Sequence, residues 1–124
     1  MKGSILIIDD EVIITKSLQK LLQKKEYDVT VAHNGTEALA QVKEKDFNLI
    51  VCDVRIPEMD GIEIIKGIRE SLKQQNKPAV PEVLITGYAD EEKYKNAINL
   101  KVADYIYKPF DTSEFLEIVQ KHVK

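Results

Sequence analysis

Four polar positions stand where four short apolar runs stop. Asp9-Asp10 follows Ile5-Leu6-Ile7-Ile8, Asp53 follows Leu49-Ile50-Val51-Cys52, Thr86 follows Val83-Leu84-Ile85, and Lys108 follows Tyr105-Ile106-Tyr107. Three carboxylates, a hydroxyl and an amine suit a divalent cation beside a phosphoryl group. Carboxylates gathered within a few ångströms repel, and the pKa of at least one rises unless a cation intervenes. Mg2+ takes oxygen ligands, keeps several waters and often bridges one or two carboxylates to phosphate oxygens. A carboxylate beside it can also act as a nucleophile and become an aspartyl-phosphate. A transferring phosphoryl group spreads charge over its equatorial oxygens, so it needs a metal and a further cation around it. Lys108 offers that cation as a flexible point charge, and Thr86 offers a hydroxyl donor. Singly, each residue has a plainer explanation: an Asp after a strand caps the next helix, a Thr bonds backbone, a Lys-Pro pair makes a turn. Jointly, those explanations must reach one sheet rim by accident.

For these side chains to meet, the runs must be strands of one sheet with their carboxyl ends at a common edge. Strand and helix patterns alternate along the chain. After Asp10, the residues Ile14, Leu18, Leu21 and Leu22 fall on one helical face, with Lys16, Lys20 and Lys24 elsewhere. Val29 to Ala32 reads as a strand, Asn34-Gly35 as a turn, and a helix follows with Ala38, Leu39 and Val42 inward. The segment Ile56-Pro57-Glu58-Met59-Asp60-Gly61 breaks the chain after the third strand. A helix from about Ile62 to Lys73 then buries Ile64, Ile65 and Ile68, and Gln74 to Pro81 is a polar loop. Asp90-Glu91-Glu92 is an acidic helix start, favourable against the dipole. A last helix opens at Asp111-Thr112-Ser113 and buries Phe115, Leu116 and Val119. Strands this continuously apolar are buried on both faces. The reading is one α/β domain over residues 1–124, a doubly wound, flavodoxin-like parallel sheet of five βα units in order 2-1-3-4-5. That order puts the first and third strands side by side, with the acidic pair and Asp53 across one crevice at the switch point.

Composition narrows the partners. The 124 residues carry a net charge of −3, which gives no basic field for nucleic acid. No apolar run approaches the roughly 20 residues that span a bilayer. No charged-then-apolar leader precedes the first strand, so a cytoplasmic location is the expectation. Cys52, the single cysteine, sits inside a strand pattern and reads as a core residue.

The whole chain resembles the receiver domain of two-component response regulators. The resemblance rests on Ile7-Ile8-Asp9-Asp10-Glu11, on the run from Val51 to Gly61, on Leu84-Ile85-Thr86-Gly87-Tyr88, and on the run from Asp104 to Phe110. It implies a phospho-accepting signalling domain, not an enzyme, that promotes its own phosphorylation and dephosphorylation. Asp53 is then the acceptor of a phosphoryl group from a partner histidine. Asp10 ligates Mg2+ directly, Asp9 directly or through water, Asp53 by a carboxylate oxygen and Arg55 by its backbone carbonyl. Thr86 and Lys108 grip the phosphoryl oxygens, Gly87 leaves their pocket open, and a cis bond to Pro109 aims Lys108 inward. Tyr105 matches the aromatic that fills the space Thr86 vacates; the plainer reading is a half-exposed strand tyrosine. Phosphorylation then remodels the face of the fourth helical stretch, fifth strand and last helix. The implied partners are a sensor histidine kinase or histidine phosphotransfer protein and a downstream effector or output domain. Self-association through the same face is a further option, while nucleic acid and membrane are not implied. The chain is either a stand-alone receiver or the first domain of a longer regulator.

Some positions depart from that pattern. Arg55 overhangs the site and either shields an acyl phosphate or attracts the donor. Lys101 stands where glycine is common after the fourth helix, so that turn is expected to be built differently, through Asn99. His33 and His122 read as surface histidines. Ile13 lies off the buried stripe of its helix and suits a kinase contact as well as plain exposure. Three rivals fit less well. An aspartyl phosphohydrolase needs its acid two residues from its nucleophile after the first strand, and a cap domain. A flavin or nucleotide module needs a phosphate-cradling loop there, where Asp9-Asp10-Glu11 repels phosphate. A degenerate receiver lacks chemical positions that are all present here.

Overall fold

The computed structural model describes residues 2–56, 59–87 and 100–123. Its strands are β1 (Ser4–Ile8), β2 (Asp28–Ala32), β3 (Leu49–Asp53), β4 (Glu82–Gly87) and β5 (Asp104–Lys108). They form one parallel sheet in the order β2-β1-β3-β4-β5, as the alternating pattern predicts. Helices α1 (Val12–Lys24), α2 (Gly35–Glu44), α3 (Gly61–Gln74) and a C-terminal helix (Thr112–His122) cover it.

Two apolar layers result, one on each face. Ile5 and Ile7 point towards α1 and the C-terminal helix, joining Leu18, Leu22, Phe115 and Val119. Leu6 and Ile8 point the other way, towards Ala38 and Val42 of α2 and Ile64, Ile65 and Ile68 of α3. Alternate residues of a strand face opposite sides, which is why both must be apolar in a covered sheet. Burying one such side chain fully stabilises the fold by about 1.5–3 kcal/mol. The helical stripes fall where the 3.6 period puts them, with Ile14, Leu21 and Leu116 partly buried at the edges. Ile13 stands 82% exposed.

The Asn34-Gly35 pair differs from the turn read from sequence. Asn34 is the N-cap of α2 and Gly35 its first residue. The cause is reciprocal bonding: Glu37 N–H donates to Asn34 Oδ1 at 2.8 Å, and Asn34 Nδ2 donates to Glu37 Oε2 at 2.9 Å. Asp60 and Asp111 cap α3 and the C-terminal helix through Glu63 N–H and Glu114 N–H. The turn before β5 also differs. Lys101 itself takes the left-handed conformation, φ 58°. Pro57, Glu58, Tyr88, the acidic start at Asp90-Glu91-Glu92 and Asn99 lie outside the described residues. Nor is His122 a simple surface histidine, since its Nε2 lies 2.9 Å from Asp104 Oδ2 and ties the last helix to β5. Among the described residues no helix is long and apolar enough to cross a membrane.

Candidate functional site at the carboxyl rim

Parallel β1 and β3 pair Ile8 with Cys52, so the residues that follow, Asp9 and Asp53, emerge side by side. Asp53 pairs with Ile85 of β4, and Thr86 and Gly87 pair with Tyr107 and Lys108 of β5. The register alone therefore lines up the four positions singled out from the sequence.

Both central carboxylates are buried, Asp9 at 0% and Asp53 at 3% exposure. Arg55 N–H donates to Asp53 Oδ1 at 2.9 Å, and Lys108 Nζ donates to Asp53 Oδ2 at 2.6 Å. Glu11 N–H donates to Asp9 Oδ1 at 3.0 Å. Asp9 Oδ2 is buried with no hydrogen-bond partner among the described residues. A buried carboxylate oxygen left unpaired is costly. Burial accordingly pushes the Asp9 pKa up to about 6; Asp53 and Glu11 add to this, while the Glu11 N–H and Lys108 oppose it. Burial works against the charge on Lys108, but its bond to Asp53 and the fields of Asp53, Asp9 and Glu11 prevail and raise its pKa.

Oxygens of Asp9, Glu11 and Asp53 lie within 4.8 Å of one another. This donor set fits a hard divalent cation: it is all oxygen, carries excess negative charge and holds an orphaned ligand atom. Asp10, by contrast, is exposed and is not among those three carboxylates. Glu11 went unremarked as a ligand from sequence, although its place in an unbroken acidic run was the available signal. Thr86 is 1% exposed, and its Oγ1 donates to Gly87 O at 3.4 Å. Arg55 projects an exposed side chain, and Tyr105 is partly buried against the layer under α3. The Lys108–Pro109 peptide is cis. Cys52 is a fully buried core residue whose thiol pKa burial raises well above its ordinary value.

The β3–α3 connection holds Asp53 in place through close backbone approach. Gly61 N–H donates to Val54 O at 2.8 Å, and a Cβ on Gly61 would meet Asp53 O at 2.3 Å. Only glycine fits there.

Comparison with known proteins agrees with the geometry. The transcriptional regulatory protein ZraR of Salmonella typhimurium is 39% identical over 120 residues, which are 97% of this chain and 26% of that protein. The chain thus spans about a quarter of the length of that relative. An uncharacterised 14.6 kDa protein of Leptolyngbya boryana is 37% identical over 118 residues, 95% of this chain and 88% of the other. The chemotaxis protein CheY4 of Vibrio cholerae superposes with a TM-score of 0.86 at 28% identity, over 98% of each chain. The model of the response regulator receiver domain matches residues 5–120, and the chain belongs to that family.

Proposed function

We propose that residues 1–124 act as one Mg2+-dependent phospho-accepting receiver, with Asp53 taking a phosphoryl group from a histidine of a partner kinase or phosphotransfer protein. The observation that carries this is the Asp53 carboxylate itself, nearly buried, gripped by Lys108 at 2.6 Å and facing further carboxylates within 4.8 Å. In the transfer, an Asp53 oxygen forms a bond to phosphorus while the bond from phosphorus to the histidine nitrogen breaks, its electron pair returning to the imidazole. Mg2+ supplies charge neutralisation and orientation at the phosphoryl oxygens. Asp9, Asp10, Asp53 and the Arg55 carbonyl would hold it. Lys108 follows the charge from the carboxylate to the phosphoryl oxygens, and Thr86 turns its hydroxyl from Gly87 O towards them. Gly87 presents no side chain to obstruct the donor, and Pro109 fixes the chain after Lys108. Tyr105 takes up the space Thr86 leaves and so reports phosphorylation on the face of β5 and its flanking helices. A downstream effector or an attached output domain, or a second receiver, would read that face. In this role the chain is a cytoplasmic phosphoprotein of a two-component system that promotes its own phosphorylation and dephosphorylation.

Intact mass after mixing with Mg2+ and a small acyl-phosphate donor tests the reading. One phosphoryl group should add to the wild type, and none to Asp53→Asn or to protein held in chelator. Addition that persists in Asp53→Asn would overturn it, as would a protein that binds no Mg2+. Tyr105→Ala should phosphorylate normally yet gain less partner affinity than the wild type. An equal gain would remove Tyr105 from the switch.

A further inference from the structure

Among the described residues, the Glu11 side chain caps no helix end and meets only the rim. It is the N-cap residue of α1, with extended backbone at φ −85° and ψ 102°, yet it makes no side-chain cap bond. A negative charge is comfortable at a helix N-terminus, which explains why Glu11 is tolerated but not where its carboxylate goes. Its Oε1 turns back across the rim to within 3.5 Å of Lys108 Nζ. A Glu11 oxygen also lies within 4.8 Å of oxygens of Asp9 and Asp53.

The second observation is Asp9. Its Oδ1 is satisfied by the Glu11 N–H at 3.0 Å, so the buried, unpartnered Oδ2 is the atom left for a ligand. The same backbone bond joins Asp9 and Glu11 into one unit at the end of β1. Among the described residues, Lys108 is the ammonium set against Asp9, Glu11 and Asp53, and those three carboxylates exceed it by two negative charges. A divalent cation supplies the balance, with carboxylate oxygens already converging beside the unpartnered Asp9 Oδ2.

We infer, on the basis of the receiver reading above, that Glu11 is an oxygen donor to the divalent cation alongside Asp9 and Asp53. Glu11 is exposed, and its backbone bond to Asp9 survives substitution, so variants at this position should fold. Mg2+ affinity, read by calorimetric titration of the full chain, tests the assignment. Glu11→Gln should bind Mg2+ about tenfold or more weakly, in the range seen when groups around a metal are removed. Glu11→Asp, which keeps the charge but is one methylene shorter, should remain weaker than wild type. Glu117→Gln on the C-terminal helix, which removes equal charge away from the rim, should bind like wild type. Full affinity in Glu11→Gln would overturn the inference while leaving the receiver reading intact. Full affinity in Glu11→Asp with loss in Glu11→Gln would also overturn it, since Glu11 would then act only through its field. A wild-type chain that binds no Mg2+ would remove the inference and the receiver reading together.

Discussion

The two ends of the sheet treat buried acid in opposite ways. At the amino end, Glu82 opens β4 at 5% exposure, and Arg69 of α3 answers it with two bonds, Nε to Oε2 at 2.8 Å and Nη2 to Oε1. The same guanidinium donates through Nη1 to Leu100 O at 2.8 Å. Other acids at the amino end are answered too: Asp28 by Lys45 at 3.1 Å and Asp104 by His122 at 2.9 Å. At the carboxyl rim, three carboxylates share one ammonium and Asp9 Oδ2 has no partner among the described residues. Acid kept for structure is saturated with hydrogen bonds. Acid at the rim is left short of partners. Perturbed titratable groups gather at functional sites for this reason.

The largest effect should come from unbalancing the saturated end. Arg69→Leu leaves the Glu82 carboxylate buried and unpaired, which should destabilise the fold by about 3–5 kcal/mol. Adding Glu82→Leu should recover most of that loss, because two apolar groups can replace a buried pair at little cost. Denaturant unfolding of the two variants decides it. If the single variant is as stable as the double one, Glu82 is not a buried charge that depends on Arg69.

The rim should respond in the opposite sense, since removing an acid there relieves the fold. Asp9 titrates near 6 in the folded chain against an ordinary 3.8. Between those values the fold holds a proton that the unfolded chain has released, so cation-free stability falls as pH rises through this window. Each pKa unit is worth about 1.4 kcal/mol, so a rise from 3.8 to about 6 puts the cost near neutral pH at about 3 kcal/mol. In chelator, Asp9→Asn should therefore unfold at higher temperature than wild type at pH 7, and the two should converge towards pH 4. Asp28, whose bond to Lys45 lowers its pKa, loses its contribution only below that window. With Mg2+ present the gap should close or reverse at neutral pH, because the cation binds the ionised form, and affinity should fall below about pH 6. A pH-independent gap in chelator would mean that Asp9 is not held uncompensated.

How much of this contrast could be read from the sequence follows from the range of each interaction. Strand order and the meeting of Asp9, Asp53, Thr86 and Lys108 depend on apolar periodicity and on strand ends, both local signals. The helical stripes were legible for the same reason. Glu82 and Arg69 were not: they are 13 residues apart, and a glutamate before an apolar run looks like a strand boundary rather than a buried partner. His122 and Asp104 are joined only once the last helix has packed on β5. Glu11 is signalled in the sequence only by its place in the acidic run Asp9-Asp10-Glu11, and residue type does not say that its side chain turns back to Lys108. Asp10, a direct ligand by the resemblance, has an exposed side chain beside the buried Asp9.

Backbone geometry offers a finer probe of the rim. Gly61 starts α3 beneath the end of β3, and an added Cβ would approach Asp53 O at 2.3 Å and Val54 Cα at 2.9 Å. Both are backbone atoms, so relief requires moving the strand end that carries Asp53. Gly61→Ala should destabilise the fold by about 1–3 kcal/mol, the usual cost of overpacking, and should weaken Mg2+ binding as well. A variant that loses stability but keeps full Mg2+ affinity would show that the rim tolerates displacement of Asp53.

The smallest effect, at the amino end, should be a gain. Lys101 holds φ 58° in the turn before β5, a region that costs a residue with a Cβ about 1–2 kcal/mol. Lys101→Gly removes that cost but adds freedom to the unfolded chain, which takes back roughly 0.5–1 kcal/mol. The net should be a stabilisation of about 0.5 kcal/mol, seen as a shifted denaturant midpoint with unchanged slope. Mg2+ affinity should not move, because the substitution lies at the opposite end of the sheet from Asp53. The carbonyl that Arg69 holds belongs to Leu100, the residue just before Lys101, so the gain should also depend on Arg69. If Lys101→Gly stabilises wild type and Arg69→Leu equally, the turn and the guanidinium act independently. A smaller gain without Arg69 would show that the saturated end fixes the backbone of this turn as well as the charge of Glu82.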